Sequence, residues 1–267
     1  MQEKETLFAG ERQAQILLLL QKNRKVLVRE LCELLAVSAV TIRNDLRELE
    51  GRGKLLRTHG GAIPCSHTGF EENSAQKFKQ NTEEKQAIAR EAAKYVQDGD
   101  TIALDTGTTS YALAWELLSK ERLTVVTNDL KIALLFEEHS DATVILLGGL
   151  LRRGYHCTVG LNSEQTMAKI FVDKCFMATN GLTALGGATT PNAEQAAIKQ
   201  TMLSHGNQVI LIAHGDKIGR NSLFCFAKPE QIQLLITDES ANPNELNAMR
   251  EHGVEIRCVS ASEKNDK

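Results

Sequence analysis

Hydrophobic positions along the chain fall into two regimes. From residue 11 to residue 50 they recur with helical spacing. Residues 11–23 read as a helix with Ile16, Leu19 and Leu20 on one side, and residues 28–35 as a second, shorter one. Ala36-Val37-Ser38 is a tight turn, and Ser38 supplies an N-cap oxygen for a third helix reaching Glu50. There Ile42, Leu46 and Leu49 form one apolar stripe. Val40, Asn44 and Arg47 face the other way, with Thr41 and Arg43 on the flanks. Gly51-Arg-Gly53 stops the helix. Residues 54–57 then read as a short strand, and Thr58-His-Gly-Gly61 as the turn into another. Two helices joined by a tight turn, followed by a strand pair, make a winged helix-turn-helix pattern.

From residue 82 onward the pattern alternates. Helices are predicted at 82–96, 110–118, 130–138, 162–170, 193–205 and 243–252. Strands are predicted at 101–104, 123–127, 143–147, 174–178, 208–213, 234–237 and 254–259. Such alternation implies an α/β domain with a mostly parallel sheet and helices on both faces. The expected organisation is therefore a winged domain at 1–62, a linker at 63–80, an α/β domain at 81–260 and a charged tail at 261–267. The linker begins with the turn-rich Pro64-Cys-Ser-His-Thr-Gly69, and its second half, 71–80, reads as a polar surface segment.

Charge sharpens this division. Residues 1–62 carry 11 Lys/Arg and 8 Asp/Glu, a balance of +3, whereas the remainder carries 20 and 26, a balance of −6. A basic small domain on an acidic large one suits a nucleic-acid module joined to something else. The longest apolar runs hold five residues, too few to span a bilayer, and Met-Gln-Glu-Lys-Glu is no secretory signal. The six cysteines, at 32, 65, 157, 175, 225 and 258, show no C-x-x-C spacing and read as reduced thiols. The expectation is a cytoplasmic protein with no membrane partner, no metal and no cofactor.

Candidate chemistry sits in two places. Arg and Asn can make paired hydrogen bonds to purine edges, and a bare methyl can meet a thymine methyl. This assigns Ser38, Val40, Thr41, Arg43, Asn44 and Arg47 to double-stranded DNA, with Arg57 and His59 of the wing along phosphate. A generic protein-binding three-helix module is the alternative. The second place is the set of strand ends, where ligands bind in parallel α/β sheets. Asp105-Thr-Gly-Thr-Thr109 joins a strand to a helix. Gly107 permits a tight turn, while Thr108, Thr109 and the helix amides can cradle a phosphate. It lacks the G-K-[ST] ending of a Walker A loop, and a plain capped turn would read the same way. Thr127-Asn128, Gly148-Gly149 with Arg152, Gly181, and Lys217 close further strand ends.

Both halves resemble the DeoR family of bacterial sugar-metabolism repressors. The N-terminal likeness is carried by Glu11-Arg12…Ile16, Val28…Leu31, Val37-Ser38, Thr41-Ile42-Arg43…Asp45-Leu46, Leu49-Glu50, Gly53…Leu56-Arg57 and His59-Gly60-Gly61-Ala62. The resemblance extends over roughly residues 10 to 240 and implies an effector domain similar to ribose-phosphate isomerase and coenzyme A transferase folds. It also implies a phosphorylated-sugar site at Asp105, Gly107, Thr108, Thr109, Thr127, Asn128, Gly148, Gly149 and Lys217. The chain departs from the family in four places. Asn44 replaces the usual Arg, exchanging a guanine or phosphate contact for an amide suited to adenine. His214-Gly-Asp-Lys217 replaces D-x-S-K, and Ala178-Thr-Asn-Gly-Leu-Thr183 replaces G-x-D-G-I-D. Gln195-Ala196 replaces Glu-Ala, with an acid at Glu194. Asp45 reads as structural, accepting hydrogen bonds that orient arginines.

The function expected is sequence-specific regulation of a carbohydrate operon. A homo-oligomer, dimer or tetramer, would be released from operator DNA by a phosphorylated sugar. Only five basic residues lie from Arg43 to Arg57, so one winged domain contacts few phosphates and specific binding asks for at least two copies. Two other readings stay open: a DNA-binding regulator without a small ligand, and a sugar-phosphate isomerase. The second lacks the matched carboxylate pair that isomerisation requires, so no catalytic residue is assigned.

Overall fold

The computed structural model describes residues 8–23, 25–51, 54–64 and 71–261. The chain divides into two compact units, Met1–Phe70 and Glu71–Lys267.

In the first unit α1 spans Ala9–Asn23, β1 Val26–Leu27, α2 Val28–Leu35, α3 Ala39–Gly51, β2 Leu55–Thr58 and β3 Gly61–Pro64. The apolar stripes meet as expected. Ile16 and Leu20 of α1, Leu31 and Leu35 of α2, and Ile42, Leu46 and Leu49 of α3 are all buried together with Leu55. Each gains about 1.5–3 kcal/mol by leaving water. Ala36 turns the chain at a φ of 53°, and the amide of Thr41 donates to Ser38 Oγ at 3.1 Å, so Ser38 caps α3. Asp45 lies on the inner side of α3. Its carboxylate accepts from Arg12 Nε at 2.5 Å and Nη2 at 3.0 Å, clamping α1 to α3. The expected structural role of Asp45 thus has a specific partner.

The wing has one strand more than the pattern indicated. β3 lies between β1 and β2, antiparallel to both. Gly61 is required where β3 crosses β1, because a Cβ there would sit 1.8 Å from the Val26 carbonyl oxygen. Two residues between helices, Val26 and Leu27, leave no alternation to read.

In the second unit α4 spans Ser74–Phe78, α5 Thr82–Ala93, β4 Thr101–Leu104, α6 Thr108–Glu116, β5 Thr124–Thr127, α7 Leu130–His139 and β6 Thr143–Leu146. Then come β7 Leu150–Arg152, β8 Cys157–Val159, α8 Leu161–Met167, β9 Val172–Ala178, β10 Gly181–Thr183, β11 Gly187–Thr190 and α9 Ala193–Ser204. The unit closes with β12 Gly206–Ile212, β13 Phe224–Ala227, β14 Leu234–Asp238, α10 Pro243–Glu251 and β15 Glu255–Val259. Seven strands form one parallel sheet in the order β15-β14-β12-β9-β4-β5-β6. Alternate residues feed cores on opposite faces. Ile102, Leu104, Phe176, Ile210 and Ile212 pack with α5, α6 and α7. Ala103, Cys175, Met177 and Leu211 pack with Met202 of α9 and Met249 of α10. A sheet buried on both faces explains why its strands read as apolar runs.

Two expectations need correction. Residues 71–80 are not a surface linker; they belong to the second unit and contain α4. Asn73 caps α4, accepting from the Gln76 amide at 2.9 Å, and the Phe78 ring meets Tyr111 edge-on at 5.4 Å. A polar composition hid this because the segment faces a polar pocket. The α/β unit also carries a β7–β8 hairpin and a small antiparallel sheet, β10-β11-β13, in stretches that gave no strand signal. The rest of the expected linker, 65–70, with Cys65, and tail residues 262–267 lie outside the described residues, as do residues 52 and 53 of the helix stop.

Candidate functional site

The outer face of α3 is formed as the sequence implied. Val40 is 65% exposed, and Arg43, Asn44 and Arg47 are exposed beside it. Among the described residues Arg43 has no protein partner, so its guanidinium can be given wholly to a ligand. Asn44 Oδ1 accepts from Arg47 Nη1 at 3.0 Å, which prepositions both side chains on one ridge. Ser38 is spent on the cap, where its hydroxyl also meets Thr41 Oγ1 at 2.8 Å. This ties up both hydroxyls that were assigned to DNA. On the wing, the Arg57 amide donates to Glu50 Oε1 at 3.0 Å and its guanidinium lies 3.5 Å from Glu50 Oε2. Arg57 and His59 share a groove with Arg29 and Arg43. The unit therefore presents an exposed Arg/Asn ridge beside a groove edged by basic side chains.

The second unit has its own concave site. β4 and β9 are neighbours, yet the chain runs from β4 outward through β5 to β6 and from β9 outward through β12 to β14 and β15. The sheet order reverses between them. A crevice opens outside the carboxyl ends of such strands, and here it is lined by Gly107, Thr108 and Thr109 after β4, Ala178 at the end of β9 with Thr179 and Asn180 after it, and His214 and Lys217 after β12. Gly107 begins α6 against β9, where a Cβ would come within 3.0 Å of Ala178 Cβ. The first turn of α6 points free amides and two threonine hydroxyls at this crevice, the usual geometry for an anion.

The other wall is cationic and comes from outside the strand ends. Lys77 of α4 and Lys85 of α5 line the pocket with Lys217. Burial, reinforced by Lys77, lowers the Lys217 ammonium to about 8. Burial, reinforced by Lys217 and then Lys77, lowers Lys85 to about 8. Lys85 donates to the carbonyls of Lys77 at 2.5 Å and Gln80 at 2.6 Å, so it also fixes the end of the 71–80 segment. His214 is held neutral. Burial and then Lys217 and Lys85 push it down to about 3, and Asn81 Nδ2 lies 2.9 Å from its Nδ1. Clustered ammonium groups that depress one another are a site poised for a multiply charged anion.

Of the residues expected at the effector site, Gly107, Thr108, Thr109 and Lys217 line the pocket. The rest do not line it. Asp105 is wholly buried. It ion-pairs with Lys199 and accepts from the Ala178 amide at 3.1 Å, pinning β4, β9 and α9 together beneath the cradle. Burial pushes its carboxyl up while Lys199 opposes the shift. Thr127 Oγ1 donates to the Leu104 carbonyl at 2.7 Å and Asn128 Nδ2 to the Thr158 carbonyl at 2.8 Å, so both donors are spent within the fold, while Asn128 Oδ1 is buried without a partner among the described residues. Gly148 and Gly149 make the turn into β7, with the Gly148 carbonyl accepting from Ser163 Oγ at 2.6 Å. Arg152 lies at the rim, bonded to Glu71 Oε2 at 2.9 Å and Gln195 Oε1 at 2.5 Å and stacked 4.1 Å over the Tyr155 ring.

Three of the positions that depart from the family pattern, Asn180, Gln195 and His214, face the pocket, whereas Thr183 bonds Asn221 at 2.9 Å away from it. Residues not foreseen are Glu71, Glu72, Lys77, Lys85, Tyr155 and Lys199. One signal was available: Lys85 falls on the stripe of Ile88, Ala89 and Ala92, and Lys199 on that of Ala196, Met202 and Leu203. A lysine in the buried register of a helix has to be satisfied by something inside.

Family models match both units, the DeoR-like helix-turn-helix domain at residues 12–68 and the DeoR C terminal sensor domain at residues 80–239. The chain belongs to the DeoR family. Relatives match along nearly its whole length. The "HTH-type transcriptional regulator GlpR" of Haloferax volcanii is 36% identical over 94% of this chain and 98% of its own. The "HTH-type transcriptional repressor GlcR" of Bacillus subtilis is 32% identical over 97% of this chain and 100% of its own. Among solved structures, a ribose 5-phosphate isomerase A from Methanocaldococcus jannaschii aligns over 52% of this chain and 55% of its own, with 16% identity and a TM-score of 0.39. This DeoR-family chain is a helix-turn-helix transcriptional regulator. Among the described residues no helix is long and apolar enough to cross a membrane.

Proposed function

We propose that this regulator represses a carbohydrate-utilisation operon and is released from its operator by a phosphorylated sugar. The observation that carries the effector is the pocket at the β4/β9 reversal. There the amides of α6, Thr108 and Thr109 face Lys77, Lys85 and Lys217. A phosphate dianion offers three acceptor oxygens to such donors. Asn180, Gln195 and the neutral His214 are suited to sugar hydroxyls, since each can both donate and accept.

On the DNA side, Arg43, Asn44, Arg47 and Val40 read bases in the major groove, while Arg57 and His59 lie along phosphate. Ser38 and Thr41, engaged in the cap, set the helix start rather than read sequence. Two winged units of a homo-oligomer meet two operator half-sites. Sugar binding then disfavours that spacing, with a coupling of about 1–3 kcal/mol typical of such linkage. Repression of sugar genes accords with relatives described as repressors, among them the "Lactose phosphotransferase system repressor" of Staphylococcus epidermidis, 35% identical over 86% of this chain. Catalysis is disfavoured because Glu71 and Asp105 are both held in ion pairs, which leaves Glu72 in the pocket without the second, matched carboxylate that isomerisation requires.

Calorimetric titration with aldose and ketose phosphates, each beside its unphosphorylated sugar, tests the effector reading. Binding that requires the phosphate supports it. Binding of free sugars alone, or turnover of an aldose phosphate to its ketose, overturns it.

A further inference from the structure

Two carboxylates line this anion pocket, and one of them is held on both oxygens. Glu71 is buried, its side chain 7% exposed, in a wall it shares with Glu72 and with Lys77, Lys85, Lys199 and Lys217. Its two oxygens are divided between cations: Oε1 accepts from Lys77 Nζ at 2.7 Å and Oε2 from Arg152 Nη2 at 2.9 Å. That is the bridging arrangement one phosphate would make with the same pair. Its backbone is anchored as well, since Tyr155 Oη donates to the Glu71 carbonyl at 3.0 Å while Arg152 stacks on the Tyr155 ring. Burial raises the Glu71 carboxyl, but Lys77 and Arg152 outweigh it and keep the group below its ordinary value, so it is ionised. Glu71 is also the first residue of the sensor unit, directly following Phe70 of the DNA-binding unit in the chain.

We propose that Glu71 is an internal stand-in for the effector's anion, holding Lys77 and Arg152 until a phosphate takes them and frees the segment that leads to the DNA-binding unit. The proposal rests on the phosphosugar reading and adds how binding is transmitted. A phosphate dianion carries up to twice the charge of Glu71 and finds Lys85 and Lys217 in the same pocket, so it outcompetes the carboxylate for these cations. Like charges facing each other across a site are strongly unfavourable, so Glu71 must leave as the phosphate arrives. Once Arg152 turns to the ligand, the contacts that hold residue 71 in the wall are lost together. The perturbation then starts at the residue joined covalently to the path toward the wing.

The test compares full-length wild type with Glu71→Gln and Glu71→Asp by calorimetry. The probes are inorganic phosphate, glucose 6-phosphate and fructose 6-phosphate. Glu71→Gln removes the competing charge and should bind them roughly tenfold tighter, while Glu71→Asp should stay near wild type. Amide hydrogen exchange on the wild type needs no variant to fold. With a bound probe, residues 72–80 should exchange faster while the strand-end loops are protected. Equal affinities for wild type and Glu71→Gln, or protection of residues 72–80 along with the loops, overturn the stand-in and leave the phosphosugar reading intact. Binding by Glu71→Gln alone supports it. Absence of binding to either protein removes both readings.

Discussion

Lys217→Met isolates the electrostatics of the pocket. The substitution keeps an unbranched side chain of similar length and removes the ammonium. A charge-assisted hydrogen bond to a phosphate contributes about 1.5–3 kcal/mol, so effector affinity should fall by roughly 10- to 150-fold. The fold should not suffer. Burial holds the ammonium at about 8 instead of its ordinary 10.5, and on the order of 3 kcal/mol of unfavourable interaction accompanies the charged form at neutral pH. Because the folded pKa is the lower one, this cost is complete below pH 8 and disappears as pH rises through 10.5. The Met variant should therefore melt at or above the wild-type temperature at pH 7, while its melting point responds little to the effector. The same shift fixes the pH dependence of binding. The anion favours the protonated lysine and raises its pKa, so protons are taken up on binding near pH 8. Wild-type affinity should be flat between about pH 7 and 8, where the phosphate is already a dianion, and decline above 8 as Lys217 and Lys85 lose their protons. Calorimetry at pH 7 and pH 9.5, repeated in buffers of different ionisation enthalpy, reads both effects. Undiminished affinity at pH 9.5, or a Met variant that binds like wild type, would refute the placement of Lys217 in the anion site.

Two further outcomes concern the winged unit. Arg43→Ala removes an exposed side chain with no partner among the described residues, so its circular dichroism and melting should match wild type while gel-shift affinity for operator drops by about 1–3 kcal/mol; an unchanged gel shift would move the recognition face elsewhere. Asp45→Ala removes the carboxylate that accepts from the buried Arg12 guanidinium and should cost about 3–5 kcal/mol in urea unfolding of the winged unit. A loss below 1 kcal/mol would show that the clamp between α1 and α3 contributes little.

The main elements were legible because their periods are clean. Ile42, Leu46 and Leu49 specify the inner side of α3 and, by exclusion, its outer side. The runs at 101–104 and 234–237 are short, apolar and set between helical stretches, as strands buried on both faces are. The β7–β8 hairpin and the β10-β11-β13 sheet were not legible, since strands of three or four residues give too few alternations, and β10 and β11 are mostly Gly and Thr. Half of the candidate site was concealed for a different reason. Strand ends pointed to Gly107, Thr108, Thr109 and Lys217, but the opposite wall comes from Glu71, Lys77 and Lys85, which reach the pocket from a polar stretch and a helix preceding the sheet. A polar segment that lines a polar pocket carries the same composition as one that faces water. Asp105 shows the converse: a carboxylate at a strand end next to a glycine turn is placed for a ligand by pattern, whereas the buried Lys199 claims it.

The central claim is that one protein joins operator binding to a phosphosugar. Footprinting on the DNA upstream of its own gene, with phosphorylated and free sugars titrated in parallel, addresses it most directly. Protection of paired half-sites about one helical turn or a multiple apart is expected, dissolved by a sugar phosphate and untouched by the corresponding free sugar. A footprint that persists against every phosphorylated sugar, or that free sugars dissolve equally well, would contradict it.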